Sequence, residues 1–444
     1  MGQKYQNAEN RVKLARELAQ EAMVLLKNEG KMLPLRAGKT VALIGRTQLG
    51  VIIGGGGSGA SFSKGTLQVR EELSGAGLVL AEGMDAFYRK IEAAEAEKAA
   101  KDSPAPGGED MIKALEGLVA SGMIYEIFGK YNPAVPEEIP DNDVFTQASR
   151  ETDTALLFIG RQTGGEECDR RVTDDYELTV SEKELLKKTC GYFPNVAVIL
   201  NVNGMIDIPV LDAYPQVRAI LFMGTSGEQA AGALADILTG KVTPSGKLNQ
   251  TVAPSYADYP TAKNFSYNKD LPDTIKCYGD YGLSAEENGS ISFDMSPVTV
   301  YEEDIYMGYR YFDSFQKPVA YPFGFGLSYA DFKMTPEAAE ISDGVFRIKV
   351  CVKNLSEDHS GKETVQLYLR DLAASVVRPV QQLIDYQKIS LEPGEEKDVV
   401  FTVTEKQLRF WNFDCREVSE PGDFELSAGF ADHLLLTRRF TLEQ

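Results

Sequence analysis

At 444 residues the chain exceeds what one hydrophobic core ordinarily holds, so two or three domains are expected. Its 46 Lys and Arg stand against 66 Asp and Glu, and the net charge of −20 argues against nucleic acid and anionic membrane as partners. With 43% hydrophobic and 25% charged residues the composition is that of a soluble globular protein, and no apolar run approaches the roughly 20 residues of a membrane span.

The opening run MGQKYQNAENRVKLAREL has no apolar stretch and no small-residue cleavage site, so no signal peptide is expected. Cys168, Cys190, Cys277, Cys351 and Cys415 are odd in number and widely spaced, which points to reduced thiols and a cytoplasmic location. The two histidines, His359 and His433, lie near the C-terminus, so a His-based triad or His-ligated zinc has no material in the first 358 residues. No metal and no cofactor are expected.

In chain order, residues 11–28 (RVKLARELAQEAMVLLKN) place Leu14, Leu18, Met23, Leu25 and Leu26 near helical spacing and predict an amphipathic helix. KTVALIG (39–45) reads as a buried strand, followed by a glycine tract, the helical TLQVREELSGAG and the apolar LVLAEG. Residues 88–144 are helix-prone and then rich in proline and acid, and read as a surface insertion. TALLFIG (154–160) is a strand. SEKELLKKTCGYF is a helix capped by Ser181 with Glu184 at the box position. The strands VAVILNV and RAILFMG and the helix GEQAAGALADILTG complete an alternating β/α pattern. Residues 1–255 are therefore expected to form an α/β domain, a mainly parallel sheet covered by helices. Residues 256–330 show no clear period and read as a linker and inter-domain segment. From 331 to 444 the period becomes two: VFRIKVCVK sets Phe346, Ile348, Val350 and Val352 against Arg347, Lys349 and Lys353. Such alternation predicts an all-β antiparallel sandwich, with Trp411 expected in its core.

Two loops carry chemistry. Gly54, Gly56 and Gly59 satisfy G-x-G-x-x-G, with Glu82 after the next apolar run, which keeps a nucleotide-binding α/β protein among the alternatives. Four consecutive glycines satisfy that spacing almost automatically, however, and the tract lies several residues beyond its strand. A flexible turn, or a loop that lets a substrate approach the backbone, fits equally. The second loop, RQTGGEECDRR (161–171), follows a strand directly. Glu166 and Asp169 stand three apart, beside Arg170 and Arg171. Loops leaving parallel strands are where α/β proteins place ligands. An arginine beside Asp169 would hold that carboxylate ionised and leave Glu166 to exchange a proton. The residues alone leave two readings open, an acid/base site and a solvated charged loop.

GEECDR (165–170), LAQEAMVLLKNEGKMLPL (18–35), SGEQAAGALADILTGKVTPSGKL (226–248), YMGYRYFDSFQKPVAYPFGFGLSY (306–329), GKETVQLYLRD (361–371) and RPVQQLIDYQKISLEPGE (378–395) together resemble glycoside hydrolase family 3, the family of many β-glucosidases. The resemblance implies an α/β sandwich domain followed by a fibronectin type III-like (immunoglobulin-like) sandwich. It matches Glu166 to the family's general acid/base, with Asp169 and Arg170 as the neighbouring D-R and Glu167 as the competing acid. Gly57 and Ser58 fall in a family loop on the leaving-group side. The family run P-G-Q-E-G-G is SGEQAAG here, so Glu228 receives no role beyond the helix start.

The family is a retaining one, and its nucleophile is an Asp in an S-D-W-like motif on a (β/α)8 barrel. No such motif occurs in this sequence. The resemblance therefore implies the leading part of a permuted enzyme, inactive alone, whose barrel follows in the same polypeptide or comes as a separate chain. The substrate it implies is a β-linked oligosaccharide or glycoside cut at its terminal sugar, with the sugar unspecified and homodimerisation open. A non-catalytic carbohydrate-binding or scaffold module is the alternative.

Overall fold

The computed structural model describes residues 7–55, 61, 63, 66–101, 136–162, 172–263, 301–342, 345–431 and 433–443. Among these, the residues up to Val242 form one compact unit and those from Thr243 onward another. The first is an α/β unit and the second carries an all-β sandwich, as the sequence leads one to expect. No helix among the described residues is long and apolar enough to cross a membrane.

The first unit contains β1 (Val24–Asn28), β2 (Thr40–Ile44), β3 (Val79–Leu80), β4 (Thr154–Arg161), β5 (Asn195–Val202) and β6 (Val217–Phe222) in one sheet of order β1-β6-β5-β4-β2-β3. All neighbours are parallel except the β1–β6 pair. The near-continuous apolar strands follow from burial on both faces. Its helices are α1 (Ala8–Ala22), α2 (Val69–Gly75), α3 (Glu82–Lys101), α4 (Asn142–Glu151), α5 (Val180–Tyr192) and α6 (Ala230–Leu238). Arg16 of α1 donates to Asp236 at 2.6 Å and to the Gly232 carbonyl at 2.9 Å, which ties α1 to the wholly buried α6.

Three local expectations change. The helix expected over 11–28 stops at Ala22, where Met23 turns extended (ψ 132°), and Val24–Asn28 pairs antiparallel with β6. Met23, Val24, Leu25 and Leu26 are consecutive and all buried, which an edge strand of a covered sheet achieves and a one-faced helix does not. The cap of α5 is Thr179 with Glu182 in a reciprocal capping box, two residues before the expected Ser181 and Glu184. Residues 88–101, expected to begin a surface insertion, continue α3 and bury Tyr88 and Ile91; residues 102–135 lie outside the described residues.

In the second unit, β7 (Phe332–Ser342), β8 (Val345–Asn354) and β11 (Glu396–Val403) form a sheet of order β11-β8-β7. β9 (Gly361–Asp371), β10 (Gln382–Leu391), β14 (Gly422–Phe430) and β15 (His433–Leu442) form the other, of order β10-β9-β14-β15. Phe346, Ile348, Val350 and Val352 meet Leu367, Leu369, Phe401, Phe424 and Leu426 in the core, so the period-two pattern is realised. Trp411 is a correction. It is 67% exposed, because in the two-residue pair of β12 (Phe410–Trp411) with β13 (Glu417–Val418) alternation sends Phe410 inward and Trp411 outward.

Ahead of the sandwich, the Leu248 amide donates to the Phe325 carbonyl at 2.8 Å, and Val252 bridges to Tyr321. Within the expected linker, α7 (Tyr309–Ser314) is held by the Tyr309 oxygen, which accepts from the Leu383 amide at 3.0 Å. Lys247 is pinned between the Gly326 carbonyl and Glu363, each at 2.7 Å, and Glu363 is buried. Lys247→Met should leave Glu363 buried without its cation and lower stability by about 3–5 kcal/mol. The check is the urea midpoint of the second unit's transition; an unchanged midpoint would refute it.

Candidate active site at the carboxyl edge of the sheet

β2 is flanked by β3 on one side and β4 on the other, so the sheet's winding reverses between β2 and β4. Ligands of open α/β sheets bind outside the carboxyl ends of strands at such a point. Both chemistry-bearing loops leave from there, the glycine tract after β2 and the Glu166 loop after β4.

Gly45 ends β2 with φ 101°, and a Cβ there would lie 2.2 Å from the Phe158 carbonyl oxygen of β4, so only glycine fits. Residues 46–48 make one 3-10 turn, and the chain then runs toward the tract. Asn201, on β5 and buried, accepts from the Ile52 amide at 2.7 Å and donates to the carbonyls of Ile52 (3.0 Å) and Gly224 (2.7 Å). One side chain thus brackets the loops after β2 and β6. Gln162 then donates to the Gly55 carbonyl at 3.1 Å, so the shoulders of the two loops touch. This is unlike a dinucleotide fingerprint, in which the glycine turn caps the strand and opens a helix. Here residues 46–55 intervene, and Glu82 opens α3.

Glu166, Glu167, Asp169, Arg170, Gly57 and Ser58 lie outside the described residues. The frame around them is described. Arg161, the last residue of β4, is 2% exposed. Its Nε donates to the Asp175 carbonyl at 3.0 Å, Nη1 to the Gly160 carbonyl at 2.8 Å and to Glu182, and Nη2 to Glu182 at 2.6 Å and the Glu177 carbonyl at 3.3 Å. Glu182 is itself fixed by the capping box, its carboxylate accepting from the Thr179 amide at 2.8 Å. Sequence reasoning passed over Arg161 as one of three arginines in a charged stretch. The available signal was its place at the end of an otherwise uncharged, fully buried eight-residue strand.

A second carboxylate stands near. Glu137 accepts from the Arg46 amide at 2.9 and 3.1 Å, at the start of the turn that follows β2. Burial pushes its pKa up to about 7, with the Glu182 charge adding to the rise and the Arg46 amide, Arg46 and Arg161 opposing it. Tyr88 accepts from the Gly45 amide at 2.7 Å, and its phenol is pushed up by burial and by Glu137. The Arg46 side chain pairs with Glu95 and, at 3.2 Å, with Glu138. Away from this edge, Glu337, Cys351 and Asp398 gather in the second unit at ligand spacing, but Lys349 already pairs with Glu337 and Asp398 at 2.8 Å each.

Residues 23–329 match the glycosyl hydrolase family 3 C-terminal domain, and residues 363–431 match a fibronectin type III-like domain. The chain belongs to glycosyl hydrolase family 3. A β-glucosidase of Ruminococcus albus is 31% identical over 425 residues, covering 94% of this chain and 39% of that protein. Thermostable β-glucosidase B of Acetivibrio thermocellus is 29% identical over 424 residues, covering 94% of this chain and 46% of that one. β-Glucosidase 3B of Thermotoga neapolitana, solved with glycerol, superposes with a TM-score of 0.77 at 27% identity, over 99% of this chain and 55% of that one. The chain thus spans about half the length, or less, of these family members.

Glu137 makes the pH dependence of this edge testable. Its folded-state pKa lies above the ordinary 4.5, so its contribution to stability is full below about 4.5 and lost as pH rises through about 7. Glu137→Gln, uncharged throughout, should lack this loss. The Tm of the variant relative to wild type should therefore rise between pH 5 and pH 8; parallel pH profiles would show that Glu137 does not titrate there.

Proposed function

We propose that this chain supplies the general acid/base part of a retaining, β-glucosidase-like glycoside hydrolase that removes terminal β-linked sugars. In this reading Glu166 gives its proton to the leaving-group oxygen while a carboxylate of a (β/α)8 barrel attacks the anomeric carbon and forms a glycosyl-enzyme. Glu166 then takes a proton from water as water cleaves that ester. Asp169 and Arg170 hold the loop charge in balance, and Gly57 and Ser58 border the leaving group. The observation that carries the reading is the Gln162–Gly55 contact, which joins the shoulders of both loops where the sheet's winding reverses. The matched relatives are β-glucosidases, and family membership supports the same chemistry. The described cysteines Cys190, Cys351 and Cys415, none of them in a disulfide, are in keeping with a cytoplasmic setting.

The 444-residue chain alone should turn over no glucoside. In the assembly that includes the barrel, Glu166→Ala should lower kcat on alkyl glucosides by about 10²–10⁴-fold, the usual worth of general acid catalysis. 2,4-Dinitrophenyl β-glucoside, whose leaving group needs no proton, should be cleaved to its glycosyl-enzyme at near wild-type rate, and azide should restore turnover as the glycosyl azide. Glu167→Ala should keep wild-type rates on both substrates and show no azide effect. Equal losses on both substrates, or the azide effect in Glu167→Ala, would reject Glu166 as the acid. A carbohydrate-binding role has one observation in its favour, the exposed Trp411 and Phe413 of the β12–β13 hairpin. Glycan binding abolished by Trp411→Ala, together with full activity in Glu166→Ala, would favour that role.

A further inference from the structure

We propose that Arg161 is the positioning residue of the acid/base loop, acting with Glu182 to fix where that loop leaves and re-enters the scaffold. The inference rests on the reading of Glu166 as general acid/base. β4 ends at Arg161, and beyond the acid/base loop the described chain resumes at Val172. Arg161 stands immediately before the departure, and two of its donors reach past the return, to the carbonyls of Asp175 and Glu177. A single guanidinium therefore grips both shoulders.

The far side of the grip is equally fixed. Glu182 takes two of the guanidinium donors and also closes the capping box of α5 with Thr179, so the clamp is anchored to a helix start. The return segment is braced in turn: the Glu177 amide donates to the Val172 carbonyl at 2.8 Å, and the Asp207 amide to the Tyr176 carbonyl at 2.7 Å. A guanidinium has five N–H donors in a rigid fork, and all five have acceptors here. Stability alone does not call for such an arrangement, because a buried ion pair is often matched or bettered by apolar residues of similar volume. What an apolar side chain lacks is direction. It cannot hold two separate carbonyls at set distances, and a proton donor displaced by an ångström loses about 10²-fold in rate.

A positioning role and a merely structural one predict different kinetics. In the barrel-containing assembly, Arg161→Met should lower kcat on methyl β-glucoside by about 10²-fold, with KM unchanged. It should leave glycosyl-enzyme formation from 2,4-dinitrophenyl β-glucoside near wild type. In a Glu166→Gln background the same substitution should cost nothing further on methyl β-glucoside, because the donor it positions is already gone. Arg161→Lys, which keeps the charge and loses the fork, and Glu182→Gln, which keeps the cap and weakens the grip, should show smaller losses of the same selective kind. These two carry the test if Arg161→Met does not fold. Equal loss on both substrates, full additivity with Glu166→Gln, or wild-type kinetics in folded Arg161→Lys and Glu182→Gln would overturn the proposal. If Glu166→Gln itself shows no dependence on the leaving group, the fault lies in the acid/base reading, and the inference falls with it.

Discussion

Removing the Arg161 guanidinium from water costs several kcal/mol, and the α/β unit offsets that cost only by surrounding it with acceptors from three parts of the chain. Gly160 belongs to β4, Asp175 and Glu177 to the segment that returns after it, and Glu182 to the first turn of α5. The requirement works in both directions. β4 cannot end where it does unless the later segment comes back to it, and α5 cannot begin where it does unless Glu182 faces inward. The cap at Thr179 is therefore set by a tertiary contact as well as by local preference.

A second constraint acts through backbone. Gly45 brings the end of β2 against the Phe158 carbonyl, and Gly160 packs against Thr47, where a Cβ would meet Cγ2 at 2.1 Å. The carboxyl ends of β2 and β4 are thus held closer than side chains would permit. Asn201, on β5, then bonds its amide to the loops after β2 and β6, so one polar bracket reaches across the sheet edge from β6 past β4 to β2. Buried and fully bonded, such a bracket favours one arrangement of the edge, because any other leaves the amide unsatisfied.

Much of this architecture was legible in the sequence, for reasons that also explain the failures. β4, β5 and β6 are apolar runs bounded by turn residues, and β8 alternates cleanly, so burial on two faces or on one could be read directly. β1 was hidden because Met23–Leu26 continues the apolar count of α1, and only the existence of β6 as a partner makes it a strand. Trp411 misled because its size suggested burial, whereas its register in a two-residue strand decided exposure. The frame of the site was less legible still. Arg161, Asn201 and Glu137 become meaningful through partners 21, 149 and 91 residues away, and no local pattern announces pairs at such separations.

The proposed division of labour gives a use to the polar contacts gathered at this edge. When acid and nucleophile belong to one domain, small errors in either can be absorbed by common packing. When they come from two, each domain must present its group independently, and productive geometry tolerates only about 0.5 Å. Loops rarely hold a side chain that well unless their ends are fixed to strands and helices. Here the ends are fixed by charge-assisted bonds to Arg161, by the bonded carboxamides of Asn201 and Gln162, and by a close backbone approach at Gly45. Glu137 joins the frame through its bond to the Arg46 amide, with burial first and the Glu182 charge second raising its pKa to about 7. Glu182 and Arg161 both act on the Glu137 carboxylate, so the clamp is one part of a larger polar assembly.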